Sequence, residues 1–150
     1  MGVISDTHGL LRPEALRALT GSEHIIHAGD IGAPEILESL AAIAPVTAIR
    51  GNIDTEAWAR ILAENEFIEI GGVGIYVLHD LAKLDLKATA AGIQVVIAGH
   101  SHVPKQDVRD GVLYFNPGTA GPRRFKLPVT VGRLIVEHGG VRGEIVSILD

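Results

Sequence analysis

Residue types that bind metal ions recur along this chain directly after short apolar runs, and this placement constrains the fold more than any other feature of the sequence. They form five clusters: Asp6-Thr7-His8, Gly29-Asp30, Gly51-Asn52, His79 and Gly99-His100-Ser101-His102. Any one cluster is weak evidence, because Asp, Asn and Gly also favour turns for reasons of backbone geometry. Their shared position indicates a chain that gathers polar side chains at the ends of its strands.

Alternating short strands and helices are predicted for the first two thirds of the chain. The apolar patterns predict strands over residues 3–5, 24–28, 46–49, 67–70, 74–78 and 94–98. Helices are predicted over residues 13–19, 34–43 and 84–91, and Thr55 is expected to cap another that carries Trp58, Ile61 and Leu62.

Beyond Gly99 the pattern changes to strands alone, over residues 103–109, 112–115, 130–137 and 141–148. Tight turns at Asp110-Gly111 and Gly139-Gly140 are typical of antiparallel pairs. An alternating half followed by a strand-rich half predicts an α/β fold with two sheets packed face to face and helices outside. With 150 residues and no repeat or linker, the chain is expected to form one domain over residues 1–150.

Composition excludes several classes of function. The chain has no cysteine, so disulfides, thiol catalysis and thiolate metal sites are excluded, and any metal must be held by oxygen and imidazole nitrogen. The formal charge of −5 gives no support to nucleic-acid binding, which depends on clustered cations. The first motif leaves no room for a signal peptide, and no apolar run reaches the roughly 20 residues that span a bilayer. We therefore expect a cytoplasmic protein without a membrane partner.

The five clusters predict one site assembled from distant parts of the chain. The residues that lie one to three positions past a predicted strand end are Asp6, Asp30, Asn52, His79 and His100. Ligands bind at this edge of α/β sheets, so five such ends along one sheet are expected to converge. The mixture of carboxylate, amide and imidazole suits two divalent cations that share a bridging carboxylate, for which Asp30 is the natural candidate. A nitrogen-rich shell favours manganese, iron, zinc or nickel over magnesium or calcium.

This ordered set of motifs resembles the calcineurin-like metallophosphoesterase superfamily, and more narrowly the small single-domain phosphodiesterases of bacteria and archaea. The motifs that carry the resemblance are Ser5-Asp6-Thr7-His8-Gly9, His27-Ala28-Gly29-Asp30, Arg50-Gly51-Asn52-Ile53-Asp54, His79, Gly99-His100-Ser101-His102 and Asn116-Pro117-Gly118-Thr119. The resemblance implies a four-layer αββα sandwich of two mixed sheets flanked by helices. It also implies a dinuclear metal centre, often filled by manganese, and hydrolysis of phosphodiesters.

The family pattern also implies roles for individual residues. Its ligand sets are Asp6, His8, Asp30 and His102 for the first metal, and Asp30, Asn52, His79 and His100 for the second. The expected mechanism is in-line attack on phosphorus by a hydroxide that bridges the metals, with Asp30, Asn52 and His79 as the catalytic residues. Asn52, Arg123 and Arg124 are the candidates for substrate contacts, although the two arginines are equally well explained as a solvated loop.

Two positions depart from the superfamily pattern. Many members have His after the metal-binding Asn and use it as an acid towards the leaving group, whereas this chain has Ile53 followed by Asp54. Asp54, a metal-bound water or a good leaving group are the alternatives for that task. Asp80 stands where Gly commonly follows the fifth-strand His. It is expected either to orient His79 or to repel the substrate.

Other functions and structural roles stay open at this point. A phosphomonoesterase of the same fold is the alternative enzyme, and a protein-binding scaffold similar to the retromer subunit is the alternative without catalysis. The substrate is expected to be a small phosphoester of unidentified type, and association into homo-oligomers is left open. His27 is expected to make a structural hydrogen bond, Arg50 to pair with a carboxylate, and the loop from Asn116 to Thr119 to support the metal cleft.

Overall fold

The computed structural model describes residues 1–149 and contains ten strands and two α-helices. The strands are β1 (Gly2–Ile4), β2 (Ile25–His27), β3 (Val46–Ala48), β4 (Asn65–Ile70), β5 (Val73–Leu78), β6 (Val95–Ile97), β7 (Lys105–Arg109), β8 (Val112–Asn116), β9 (Thr130–Glu137) and β10 (Gly140–Ser147). The helices are α1 (Pro13–Leu19) and α2 (Pro34–Ala41), and each begins with Pro at a first-turn position, where its missing N–H is not needed.

The strands form two five-stranded mixed sheets. The first has the order β10-β9-β1-β2-β3, in which β1, β2 and β3 are parallel and β9 runs antiparallel to β1. The second has the order β4-β5-β6-β8-β7, with a parallel centre and antiparallel edges. Helical crossovers connect the parallel strands of the first sheet, as parallel pairing requires a long connection. The expected pair of mixed sheets is confirmed.

Three apolar clusters define the layers. Val3 and Ile26 of the first sheet pack against Ile75 and Phe115 of the second, which places the main core between the sheets. Both α-helices cover the outer face of the first sheet, where Leu19 and its neighbours in α1 and α2 are buried. The outer face of the second sheet is covered by residues of the segment 84–93.

Two of the predicted helices are wrong. The segment after Thr55 contains only the 3₁₀ turn Ala57–Ala59, and residues 84–91 form an irregular segment preceded by the 3₁₀ turn Leu81–Lys83. Leu84, Leu86 and Ala88 are more buried than the residues between them, so the apolar period here is two rather than 3.6. This segment therefore lies along the sheet without forming an α-helix. Among residues 1–149, no helix is both long and apolar enough to span a membrane.

Candidate metal centre

The loops that carry the five clusters meet at one edge of the sandwich, but they come from both sheets. The loops with Asp6, Asp30 and Asn52 follow β1, β2 and β3 of the first sheet, whereas His79 and His100 follow β5 and β6 of the second. The expectation of five strand ends along one sheet is therefore wrong. The carboxyl ends of the parallel strands in both sheets open at the same edge, and the cleft lies between the two layers.

Two carboxylates and three imidazoles form the centre of this cleft. His102 Nε2 lies 3.4 Å from Asp6 Oδ1, and His8 Nε2 lies 3.7 Å from the same oxygen and 3.5 Å from Asp30 Oδ2. His79 Nε2 lies 3.3 Å from Asp30 Oδ2 and 3.9 Å from Asp6 Oδ1. The donor atoms fall into two groups whose members lie within 4.8 Å of one another, Asp6 with His8 and His102, and Asp6 with Asp30 and His79.

Three of these buried potential ligand atoms have no hydrogen-bond partner among residues 1–149, namely Asp6 Oδ1, His8 Nε2 and His79 Nε2. Buried polar atoms are almost always hydrogen-bonded, so a group of unpartnered donors facing one another is unusual. An arrangement of this kind fits divalent cations, which would satisfy all of these atoms at once. The residues present therefore match the metal chemistry that the sequence predicts.

The opposite ends of the same side chains are firmly anchored. Ser5 Oγ donates to Asp6 Oδ2 (2.7 Å), and the backbone N–H of His100 donates to the same oxygen (3.1 Å). His79 Nδ1–H donates to the carbonyl oxygen of Ala28 (2.7 Å), which leaves the lone pair of Nε2 directed at the carboxylates. A hydrogen bond at Nδ1 fixes the tautomer and orientation of an imidazole whose Nε2 binds a metal.

The charge state of the site favours cations. Burial opposes ionisation of Asp30, but the neighbouring His79 and the N–H of Ile53 outweigh it and lower the pKa of Asp30 to about 2. Burial likewise opposes ionisation of Asp6, yet His8 and Ser5 hold its pKa below the ordinary value. Burial would lower the pKa of His79, but Asp30, the Ala28 carbonyl and Asp6 together raise it. Because the pKa values of Asp6 and Asp30 lie below the ordinary value, both carboxylates are ionised at neutral pH.

The remaining sequence-predicted residues lie at the rim. His100 is 42% exposed, and its ring centroid lies 5.1 Å from that of His79. Asn52 is exposed and, together with His79, lines an open cleft of about 710 Å³. Arg123 and Arg124 are exposed in the loop before β9. Burial is the main reason why the pKa of His102 is lowered, and the positive charge of Arg124 lowers it further.

Comparison with known proteins identifies the family. Residues 1–139 match the calcineurin-like phosphoesterase superfamily domain. The chain belongs to this superfamily. This phosphoesterase is 37% identical over 150 residues to the probable metallophosphoesterase MJ0623 of Methanocaldococcus jannaschii, an alignment that covers 91% of this chain and 76% of the relative. The sequence-based family assignment is thus confirmed, and with it the need for divalent metal ions.

Solved structures share the fold of this phosphoesterase over nearly its whole length. A structure described as a novel archaeal phosphodiesterase has a TM-score of 0.78 and 25% identity, covering 97% of this chain and 98% of that one. Vps29 of Entamoeba histolytica in complex with zinc has a TM-score of 0.73 and 21% identity, covering 99% of this chain and 100% of that one. The likeness to Vps29 concerns the fold alone.

Asp54, which the sequence offered as an acid for the leaving group, is a structural clamp in this phosphoesterase. It is 4% exposed, and its two oxygens accept hydrogen bonds from the backbone N–H groups of Ile31, Gly32 and Gly51 at 2.8–3.1 Å. These bonds tie the loop after β2 to the loop after β3. The interpretation of Asp54 as an acid therefore has no geometric support.

Asp80 lies beside His100 rather than His79. Its Oδ1 accepts the N–H of Ala82 (3.1 Å) at the start of the 3₁₀ turn, and its Oδ2 lies 3.9 Å from His100 Nε2. Because His79 Nδ1 is bonded to Ala28, Asp80 does not orient that imidazole. The idea that Asp80 positions His79 is wrong.

The loop from Asn116 to Thr119 supports the site, as its motif predicts. Asn116 Nδ2 donates to the Gly99 carbonyl (3.0 Å) and to Ser101 Oγ (3.1 Å), which fixes the loop that carries His100 and His102. Thr119 Oγ1 donates to the backbone carbonyl of Asp6 (3.0 Å). The motif predicted that the loop with Thr119 supports the cleft but not that Thr119 bonds to Asp6, and no sequence signal predicted the bond from Ser5 to Asp6.

His27 and Arg50 have the structural roles that the sequence predicts. His27 is fully buried, and burial lowers its pKa to about 4, so its neutral ring accepts the Gly29 N–H at Nδ1 (3.1 Å). Its Nε2–H then donates to Thr7 Oγ1 (3.0 Å), which itself donates to the Ile31 carbonyl (2.8 Å). Arg50 pairs with Glu64 at 3.2 Å.

Proposed function

We propose that this chain is a phosphodiesterase that uses a dinuclear metal centre in the cleft between its sheets. The observation that carries the proposal is the pair of ionised carboxylates, Asp6 and Asp30, lying beside buried atoms that have no hydrogen-bond partner among residues 1–149, namely Asp6 Oδ1, His8 Nε2 and His79 Nε2. The structural likeness to a protein described as an archaeal phosphodiesterase supports diesters as the substrate class. Manganese is the proposed metal, with iron, zinc and nickel as alternatives.

Each cation would be bound by four residues, and the two sets share Asp30. The first set is Asp6, His8, Asp30 and His102, and the second is Asp30, Asn52, His79 and His100. Asp6 belongs to both groups of three potential ligands, so it is also a candidate for the bridging carboxylate. Asp30 fits that role better, because its Oδ2 lies at nearly equal distances from His8 (3.5 Å) and His79 (3.3 Å). Asp6 Oδ1 lies closer to His102 and His8 than to His79.

The bound cations would supply the Lewis acidity that activates a water molecule and offsets phosphate charge. The chain itself would position the substrate. The exposed amide of Asn52 can donate a hydrogen bond to a phosphoryl oxygen. The guanidinium of Arg124 lies close enough to the site to lower the pKa of His102. Such preorganised donors stabilise the charge that develops on phosphoryl oxygens in the transition state.

Turnover of bis(p-nitrophenyl) phosphate tests the proposal. We expect hydrolysis with added manganese and none in a chelated sample, and faster hydrolysis of this diester than of p-nitrophenyl phosphate. Preference for the monoester would favour a phosphomonoesterase. Absence of activity with manganese, iron, zinc and nickel would favour the non-catalytic scaffold.

The Asp30→Ala variant tests the proposed bridge. Loss of the shared carboxylate is expected to reduce kcat/KM by at least about a hundredfold, because both cations lose a ligand. The exposed Glu38 of α2 offers a control, since Glu38→Ala removes a carboxylate remote from the cleft and should keep full activity. Cooperative unfolding of both variants would establish that they fold, and substantial activity of a folded Asp30→Ala variant would contradict the assignment.

A further inference from the structure

A second cavity lies on the outer face of the second sheet, separate from the open cleft beside Asn52. Its volume is about 200 Å³, and residues from β6, β7, β8 and the loop after β6 line it. Its apolar walls are Leu81, Val96, Val103 and Tyr114. These four apolar residues have no role in holding the metal centre, whereas His100 and Asn116, which also line the cavity, belong to that site or support it.

The cavity has the size and chemistry of a site for one planar ring. An apolar cavity of about 150 Å³ is enough to hold benzene, so 200 Å³ accommodates a single six-membered ring with substituents. Tyr114 supplies an aromatic wall, and the Arg109 guanidinium fixes it from a position 4.4 Å from the ring centroid. Asp107 in turn holds Arg109 through a 3.1 Å ion pair. Lys105 lies beside these residues and offers a cation to polar ring substituents.

The cavity and the metal centre share a wall. His100, a proposed ligand of the second cation, lines the cavity, and so does Asp80, which also lines the cleft that contains His79. Leu81 and Val103, which line the cavity, are 37% and 42% exposed, so the cavity is open to solvent beside these residues. A phosphate group at the metal centre could therefore place one of its ester groups beyond His100 and into the cavity.

We propose that this cavity is the subsite for a planar six-membered ring carried by one ester group of the substrate. The inference rests on the proposed function, since it places the phosphate at the metal centre. The substrate class is then a phosphodiester with a phenyl-type ring or a pyrimidine base, and diesters with only small alkyl groups bind more weakly. Both kinds of ring share the chemistry that the cavity recognises.

Calorimetry on the manganese-loaded protein tests the subsite without relying on turnover. Phenyl phosphate is compared with methyl phosphate, and uridine 5′-phosphate with ribose 5-phosphate, so each pair differs by the presence of a ring. Burying one face of a ring in an apolar site is expected to tighten binding by about tenfold. The first pair reports an aryl ester and the second a pyrimidine nucleotide.

Substitutions that fill the cavity provide the specific test. Val103→Trp is expected to reduce the tenfold preference to about one, and Leu81→Trp, on a different segment, should do the same if the first variant fails to fold. Val108→Trp is the matched control, because Val108 is 65% exposed and pairs with Leu113, whose side chain belongs to the core between the sheets. It points away from the cavity and should preserve the preference.

The outcomes separate the two proposals. A ring preference that Val103→Trp or Leu81→Trp removes and Val108→Trp retains supports the subsite. No preference in either ligand pair, or a preference that all three variants retain, overturns it even if diesters are hydrolysed. If the preference behaves as expected but no diester is hydrolysed, the ring subsite stands and the proposed function fails.

Discussion

Five of the proposed ligands have backbone conformations that their side chains disfavour. They are Asp6, His8, Asp30, His100 and His102, with φ values of 54°, 45°, 56°, 71° and 64°. For residues other than glycine, each such conformation costs on the order of 1 kcal/mol, and it persists only where surrounding contacts enforce it. Here the enforcing contacts include the Ser5 and Thr119 hydroxyls, which bond to the side chain and backbone of Asp6. This strain turns the side chains into the cleft.

Asp54 is expected to contribute to stability rather than to proton transfer. In the Asp54→Asn variant, one amide NH₂ would face backbone N–H groups that now donate to a carboxylate, so we predict a loss of about 2–4 kcal/mol in the free energy of unfolding. Urea unfolding of the metal-free parent and variant measures this difference in the free energy of unfolding. Asp107→Asn, at an exposed position, should stay within about 0.5 kcal/mol of the parent. An Asp54→Asn variant of unchanged stability with an altered pH profile of kcat/KM would restore the acid interpretation.

His27 is expected to make stability depend on pH between 4 and the ordinary imidazole pKa of 6.5. Within this range the unfolded chain takes up a proton that the folded chain, with a pKa of about 4, does not accept. The contribution of His27 is therefore complete above pH 6.5 and falls by about 3 kcal/mol as the pH drops to 4. Urea unfolding across this range should give a shallower dependence for His27→Gln. Equal slopes for the two proteins would contradict the prediction.

At the scale of secondary-structure elements, the strand-end loops of the two sheets interlock through glycine. A Cβ atom at Gly99, after β6, would lie 2.1 Å from Ser5 Oγ and 2.6 Å from Asp6 Oδ2, after β1. These distances are shorter than any allowed contact, so only glycine lets the second sheet's loop approach the carboxylate of the first. The metal centre thus depends on a close contact between elements that are far apart in sequence.

The Gly99→Ala variant is expected to weaken metal binding by displacing the Asp6 carboxylate. Because Asp6 would lose its orienting bonds to Ser5 and to the N–H of His100, we predict a decrease in manganese affinity of at least about tenfold, measured by calorimetry. Gly140→Ala is a suitable comparison, since the nearest atom to its added Cβ is the Glu137 carbonyl oxygen at 3.5 Å. Equal affinity in both variants would show that the Gly99 contact does not control the site.

At the scale of the whole molecule, the proposed ligands link the two sheets. Asp6, His8 and Asp30 lie in loops of the first sheet, and His79 and His102 in loops of the second. Without cations, this edge contains two ionised carboxylates and unpartnered buried donors. Bound cations would stabilise the contact between the layers as well as serve catalysis.

Manganese is therefore expected to stabilise the folded protein. At a free concentration about a hundredfold above its dissociation constant, a ligand adds about 2.7 kcal/mol. For a domain of this size we predict a rise in Tm of roughly 5–10 °C relative to a chelated sample, measured by thermal unfolding. The Asp30→Ala variant should show a smaller rise. A Tm that manganese leaves unchanged in the parent protein would argue against binding at this site.

Residue chemistry and local periodicity were enough to predict the bounds of some elements, the candidate ligands and the family. The bounds of α1 and β9 agree with the prediction, because apolar period and Pro at a first helical turn are local signals. The candidate ligands were also recognisable, since each cluster directly follows an apolar run. Family membership followed from the order of these clusters along the chain.

Only the tertiary structure decided how distant segments meet. Sequence pattern did not reveal that the strand ends belong to two sheets, or that Asp54 clamps the loops after β2 and β3. Nor did it reveal the cavity beside His100. The physical reason is that strand pairing and hydrogen bonding join residues far apart in sequence, as with His100 and Asp6, 94 positions apart, whereas periodicity reports only on neighbours.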